Sequence, residues 1–192
     1  MSFKPTLILA GILILLAGYL VYFHLAKSEV KKDERPEIWS VEEEKINQIT
    51  IRLPHENKMM AFFKDKDERW RFDDETRQPV DIQRWGGIVP LVSGPKSKRM
   101  IAEKVEDLGE YGFTDPQMIV TLDIRGQKGP LEILFGGRTP QEDQFYVKLK
   151  HKDPVYIMHS NYCEVLRRLA LEPPLPARNK SRTEKMSEKM NR

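Results

Sequence analysis

Four histidines, a single cysteine and one glycine-rich turn are the residues of this sequence with chemistry to offer beyond folding. His24, His55, His151 and His159 are scattered, and no pair shows the His-Glu-x-x-His spacing that sets two imidazoles on one helical face for zinc. Cys163 is the only cysteine, so an intramolecular disulfide is ruled out. Without a partner motif it reads as a small buried apolar residue rather than a nucleophile. Gly136-Gly137-Arg138-Thr139-Pro140 invites a phosphate loop, because glycines let backbone amides approach an anion. No Gly-Lys-Ser/Thr follows, however, and the next segment reads as a strand, so a hairpin turn is expected. Asp73-Asp74-Glu75 offers hard oxygens of the kind Ca²⁺ or Mg²⁺ takes, but it follows Phe72 as a surface turn would. Lys96, Lys98 and Arg99 in the loop Gly94–Arg99 read as solvated charge. No Gly-x-Ser-x-Gly elbow is present. No catalytic, cofactor-binding or metal-ligating residue is therefore assigned, and no cofactor is expected.

The elements that would position any site are legible as a change of period along the chain. Ile49, Ile51 and Leu53 alternate with polar neighbours, which predicts a half-buried strand, and Met59–Phe63 and Arg69–Phe72 continue a meander. Asp81 predicts the cap of a helix with Ile82, Trp85, Val89 and Val92 near one face, ended by Pro90 near Val89. Glu106–Pro116 reads as a compact turn that buries aromatics. Period two returns around Val120–Ile124, Leu131–Phe135, Phe145–Leu149 and Val155–Ile157. Ser160 is the expected cap of a last helix carrying Tyr162, Val165, Leu166 and Leu169 on one side. Strands then a helix over Ile46–Val92, and again over Ile119–Leu169, suggest two similar sheet-plus-helix units.

Ahead of all this, Pro5–Ala26 runs 22 residues with no formal charge apart from His24. About 20 helical residues span a bilayer core, so residues 7–25 are expected to cross the lipid bilayer. The run exceeds a signal-peptide core, and His24 sits where a cleavage site after Ala26 wants a small residue, so an uncleaved anchor is expected. Ala10, Gly11, Ala17 and Gly18 share a helical face that would let another membrane helix approach. Tyr19 and Tyr22 suit an interface. The formal charge is +3, but Ala177–Arg192 alone holds six Lys/Arg against two Glu, leaving −1 for the rest. Charges of both signs are interspersed, which argues against a nucleic-acid module. The divisions expected are an anchor over residues 1–28, a polar stalk over 29–38, a soluble domain over 39–171 and a disordered basic tail over 172–192. The fold class is α+β, mainly antiparallel sheet with a few helices, since the connections are too short for parallel crossovers.

Several of these pieces together resemble a known family. Trp39 before the Ile46–Leu53 strand, Arg69-Trp70-Arg71-Phe72, Pro79-Val80-Asp81, Leu108-Gly109-Glu110-Tyr111-Gly112-Phe113-Thr114-Asp115-Pro116, Phe135–Pro140 and Phe145-Tyr146-Val147 are similar to the bacterial family called domain of unknown function 4340. Tyr111–Pro116 is the most specific of these, and the resemblance extends over roughly Trp39 to Leu171. Many members have one glycine in the Gly-x-x-Thr-Pro turn, whereas here Gly136 and Gly137 are adjacent. The resemblance implies an N-terminal anchor and a role in envelope processes, including auxiliary parts of gliding-type ABC transport systems. It brings no catalytic residues. The expectation is thus a single-pass protein of the bacterial cytoplasmic membrane, a non-enzymatic accessory or binding module with its domain on the extracytoplasmic side and a membrane or envelope protein as partner. The alternative is an enzyme acting on envelope lipid or glycan through a site the sequence does not display.

Overall fold

The computed structural model describes residues 12–19, 22, 35–140 and 143–176. Eight strands form one antiparallel sheet: β1 Ile46–Leu53, β2 Lys58–Lys64, β3 Trp70–Phe72, β4 Arg99–Ala102, β5 Met118–Ile124, β6 Leu131–Arg138, β7 Gln144–Leu149 and β8 Val155–His159. Their order is β3-β2-β1-β5-β6-β7-β8-β4. Among the described residues from 35 onward, a 3-10 turn Glu43–Lys45 and three α-helices accompany them: α1 Ile82–Trp85, α2 Ile88–Ser93 and α3 Ser160–Leu171. The α+β expectation holds.

The alternation read from sequence is the burial pattern of the sheet. Ile49, Ile51, Leu53, Phe62, Val120, Leu122, Ile133, Phe135 and Val147 all turn to one face and are buried. α3 lies across that face against β1, β2, β7 and β8. Its buried stripe is Cys163, Leu166, Leu169 and Ala170, with Val165 left 44% exposed, so the expected stripe is rotated. His159 rather than Ser160 caps it, Nδ1 accepting from the Asn161 N–H at 3.4 Å.

The helix after Asp81 departs further from expectation. Asp81 caps it as read, its carboxylate accepting from the N–H groups of Gln83 and Arg84, but α1 lasts one turn. Gly87 then adopts φ 84°, a left-handed conformation open to glycine. This break resets the phase, so Trp85, Ile88 and Val92 are buried while Ile82 is 84% exposed. Pro90 does not end a helix; it sits in the first turn of α2, where its missing N–H costs nothing. Arg99 likewise leaves the expected loop and opens the edge strand β4 on β8. Ser97, fully buried, donates its hydroxyl to the Ile157 carbonyl at 2.6 Å and so fixes that edge.

The folded contacts reach beyond the expected boundaries at 39 and 171. The Ser97 N–H donates to Pro36 O and Ile38 is buried, which draws the end of the expected stalk into the domain. Arg84 donates to the carbonyls of Glu172 and Pro173, and the Asp81 N–H to that of Pro174. The strands do form two meanders leaving the central β1–β5 pair in opposite directions. The helices do not repeat: Trp85 of α1 packs at a tilt on its own strands at Phe62 and Trp70, whereas α3 crosses to β1 and β2. The two-unit expectation therefore fails at the helices. Residues 12–19 and Tyr22 are helical and exposed; the rest of Leu7–Leu25, most of the stalk and residues 177–192 lie outside the described residues. Among the described residues no helix is long and apolar enough to cross a membrane.

One turn carries a pH dependence. Asp65, between β2 and β3, accepts from Arg71 Nε at 2.6 Å and from the backbone N–H groups of Arg69 and Asp67. The Arg71 hydrogen bond first, then these N–H groups, lower its pKa from 3.8 to about 2. A depressed folded pKa adds stability that is complete above the unfolded value and is lost as pH falls through the folded one. Asp65→Asn is thus expected to flatten the loss of stability between about pH 4 and pH 2, measured by denaturation midpoints across that window.

Candidate functional site

At the end of the sheet where β1 finishes and β5 begins, α3 roofs a cavity of about 200 Å³. Met118, Phe135 and Phe145 of the sheet and Cys163 of α3 are its apolar lining, and His55, Glu56, Gln117, Arg138, Glu164 and Arg167 complete it. The β1–β2 turn supplies His55 and Glu56, the residue just before β5 is Gln117, β6 supplies Arg138, and the first two turns of α3 supply Glu164 and Arg167.

Arg138 is present because of a bulge. Phe135 pairs with Val147 and Arg138 with Phe145, three residues along β6 against two along β7. In unbroken alternation Arg138 would face the opposite side from Phe135. The extra residue turns it onto the helix side, where its guanidinium lies 4.6 Å from the centre of the Phe145 ring. Re-aiming a side chain is a recurrent use of such bulges beside functional sites. The adjacent glycines allow it. The Gly137 N–H donates to Tyr111 O at 2.8 Å, and a Cβ on Gly136 would collide with that same carbonyl oxygen. Gly112, at φ 73°, faces the bulge so closely that a Cβ there would lie 2.7 Å from Gly137 N. Tyr111 meets Tyr146 edge-on at 4.9 Å, and Phe113 is buried. The Leu108–Pro116 and Phe135–Pro140 motifs are therefore two halves of one backbone junction, and the glycine pair is part of β6, not the hairpin turn expected.

The charged lining is a chain of alternating sign. Glu56 Oε1 accepts from Arg167 Nη2 at 2.6 Å and Nε at 3.1 Å. Arg167 Nη1 lies 3.8 Å from Glu164 Oε2, and Glu164 Oε1 accepts from Arg138 Nη2 at 3.0 Å. Glu56 hydrogen bonding raises the Arg167 pKa. These side chains are 30–43% exposed, so each pair contributes only about 0–1 kcal/mol to stability. His55 Nε2 stands 3.1 Å from Asp115 Oδ1, joining the turn to the Tyr111–Pro116 motif. Cys163 is buried on the inner side of α3, as expected, and burial, with a smaller contribution from Glu164, pushes its thiol pKa up. That keeps it protonated and unreactive.

Of the histidines considered from sequence, His55 reaches the cavity, His159 caps α3 and His151 stands exposed in the turn after β7. Asp74 organises its own turn, accepting from Thr76 and Arg77, as a surface turn should. Among the described residues no cluster of three His, Cys, Asp or Glu is placed to hold a metal ion. Glu56, Gln117, Arg138, Glu164 and Arg167 were not singled out by sequence reasoning. The signal available was the doubled glycine before Arg138, which marks a bulge as readily as a turn.

No curated protein and no solved structure matches the chain. The family model described as a domain of unknown function matches residues 70–171, more than half the chain, from β3 through α3. The match starts later than the Trp39 expected and leaves out the turn that carries His55 and Glu56. It includes Asp115, the bulge, Arg138, Glu164 and Arg167. On that match the chain belongs to the domain of unknown function 4340 family.

Proposed function

We propose that this protein is a single-pass, membrane-anchored accessory module of a bacterial envelope or transport-type assembly, working by binding rather than turnover, with its domain on the extracytoplasmic side. The observation that carries the reading is the run Pro5–Ala26, 22 residues without formal charge apart from His24, which at ~1.5 Å per residue exceeds a bilayer core of about 30 Å. A domain held at a membrane by such a run presents its surface to membrane-associated partners. Three groups of the cleft under α3 favour binding over chemistry. Its two carboxylates are each held by a guanidinium, and its thiol is raised by burial, whereas a general base or nucleophile works from a group poised to lose or take a proton. Lys27, Lys31, Lys32 and Arg35 after the run oppose this orientation by the positive-inside rule, but long domains translocate largely regardless of flanking charge.

A C-terminal alkaline phosphatase fusion and co-purification of the intact chain from detergent-solubilised membranes test the reading together. An active fusion and a reproducible membrane-protein partner are expected. An inactive reporter in a well-expressed, membrane-inserted fusion refutes the orientation. Loss of cellular function in a folded variant of one polar residue that still co-purifies with its partner refutes the binding role.

A further inference from the structure

We infer that the cleft under α3 binds an amino-acid-type zwitterion: a ligand with an α-carboxylate, a neighbouring ammonium and a short apolar side chain. This rests on the binding reading above and adds the ligand class. Size sets the first bound. A cavity of about 200 Å³ falls below the roughly 300–1,000 Å³ of sites for drug-sized ligands.

Charge order sets the second. The lining runs Glu56, Arg167, Glu164, Arg138. A purely anionic ligand would push against both glutamates, and a purely cationic one against both arginines. A dipolar ligand offers a partner to both signs at once. The resident pairs yield readily because they are part-exposed, while a carboxylate taken by a guanidinium gains a charge-assisted, bidentate contact. Arg167 Nη1, 3.8 Å from Glu164 Oε2, is beyond hydrogen-bond reach of that oxygen. Beneath the charges, Met118, Phe135 and Phe145 line the cleft but are only 1–4% exposed, so the apolar surface open to a side chain is small and suits a short one. The bulge gives the arrangement its purpose: if Arg138 served only solubility, the opposite face of the sheet would serve as well.

The competing account is a structural clasp, in which the ion pairs merely tie α3 to the β1–β2 turn. Titration calorimetry on the full chain in detergent micelles separates the two, with L-leucine as the probe and N-acetyl-L-leucine and L-leucinamide as arms lacking one charge each. Saturable one-to-one binding of leucine is expected, with both derivatives weaker by about tenfold or more, the scale of one lost charge-assisted hydrogen bond. Arg138→Gln and Glu164→Gln are each expected to weaken leucine by a similar factor with an unchanged melting temperature. Absence of saturable leucine binding overturns the inference. So does a derivative that binds as tightly as leucine, or binding untouched by both substitutions. Such a failure would leave the anchored-module reading standing, since the reporter fusion and co-purification report on that separately.

Discussion

Gly136→Ala is expected to destabilise the domain by about 3 kcal/mol or more, whereas Gly137→Ala, one residue along the same strand, is expected to cost under about 1 kcal/mol. The difference comes from one carbonyl. A Cβ on Gly136 is driven into Tyr111 O and also meets the Phe113 ring at 3.1 Å, while a Cβ on Gly137 meets that oxygen at 3.8 Å, an ordinary contact. Neither obstacle can step aside cheaply. The Tyr111 carbonyl is fixed by the Gly137 N–H at 2.8 Å, and Phe113 is buried against the sheet. Relief requires the Tyr111–Phe113 segment to lift, giving up that hydrogen bond and the Tyr111–Tyr146 contact. Gly112→Ala attacks the same junction from the other side and adds the strain of a left-handed φ, so its loss is expected to match that of Gly136→Ala. Urea denaturation followed by tryptophan fluorescence measures all three, since Trp39, Trp70 and Trp85 lie within the domain. Equal losses at Gly136 and Gly137 would show that the junction is not the close backbone approach described.

The sheet was legible in the sequence because a period of two has one structural meaning when apolar residues alternate over five or more positions, as in Val120–Ile124 and Leu131–Phe135. Helices were less so. Ile82, Trp85, Val89 and Val92 make a plausible stripe only if the helix is continuous, and Gly87 at φ 84° breaks it. Pro90 was read as a stop although the same residue opens a helix as readily. β4 escaped notice because its four residues carry no alternation of their own; Ser97 and the open edge of β8 define it. The cleft was least legible of all. Its members come from the β1–β2 turn, β5, β6 and α3, and no local spacing ties Glu56 to Arg167, 111 residues apart. The family motifs were seen as separate turns, and only packing reveals that Tyr111–Phe113 and Gly136–Gly137 close on each other to aim one arginine.

Phe62→Ala is expected to cost about 3–5 kcal/mol, and Phe62→Leu about 1–1.5 kcal/mol, in the same denaturation experiment. Phe62 has no exposed surface and stands where two layers meet. Across the sheet it pairs with Ile49 of β1 and Phe72 of β3. Its ring lies 5.2 Å from that of Phe72 and 4.6 Å from that of Trp85. Trp85 depends on this packing more than most indoles, because among the described residues its buried Nε1 has no hydrogen-bond partner and the ring is held by apolar contact. Truncation to alanine removes the contact and leaves a cavity lined by rigid strands on one side. On the other side α1, a single turn, is the element best able to collapse inward. Collapse would place the loss near the low end of the range and shift Trp85 emission, while a persistent cavity would place it near the high end with emission little changed. Leucine keeps most of the volume and loses mainly the ring contacts. A loss below about 1 kcal/mol for alanine would contradict the placement of Phe62 at the centre of the core.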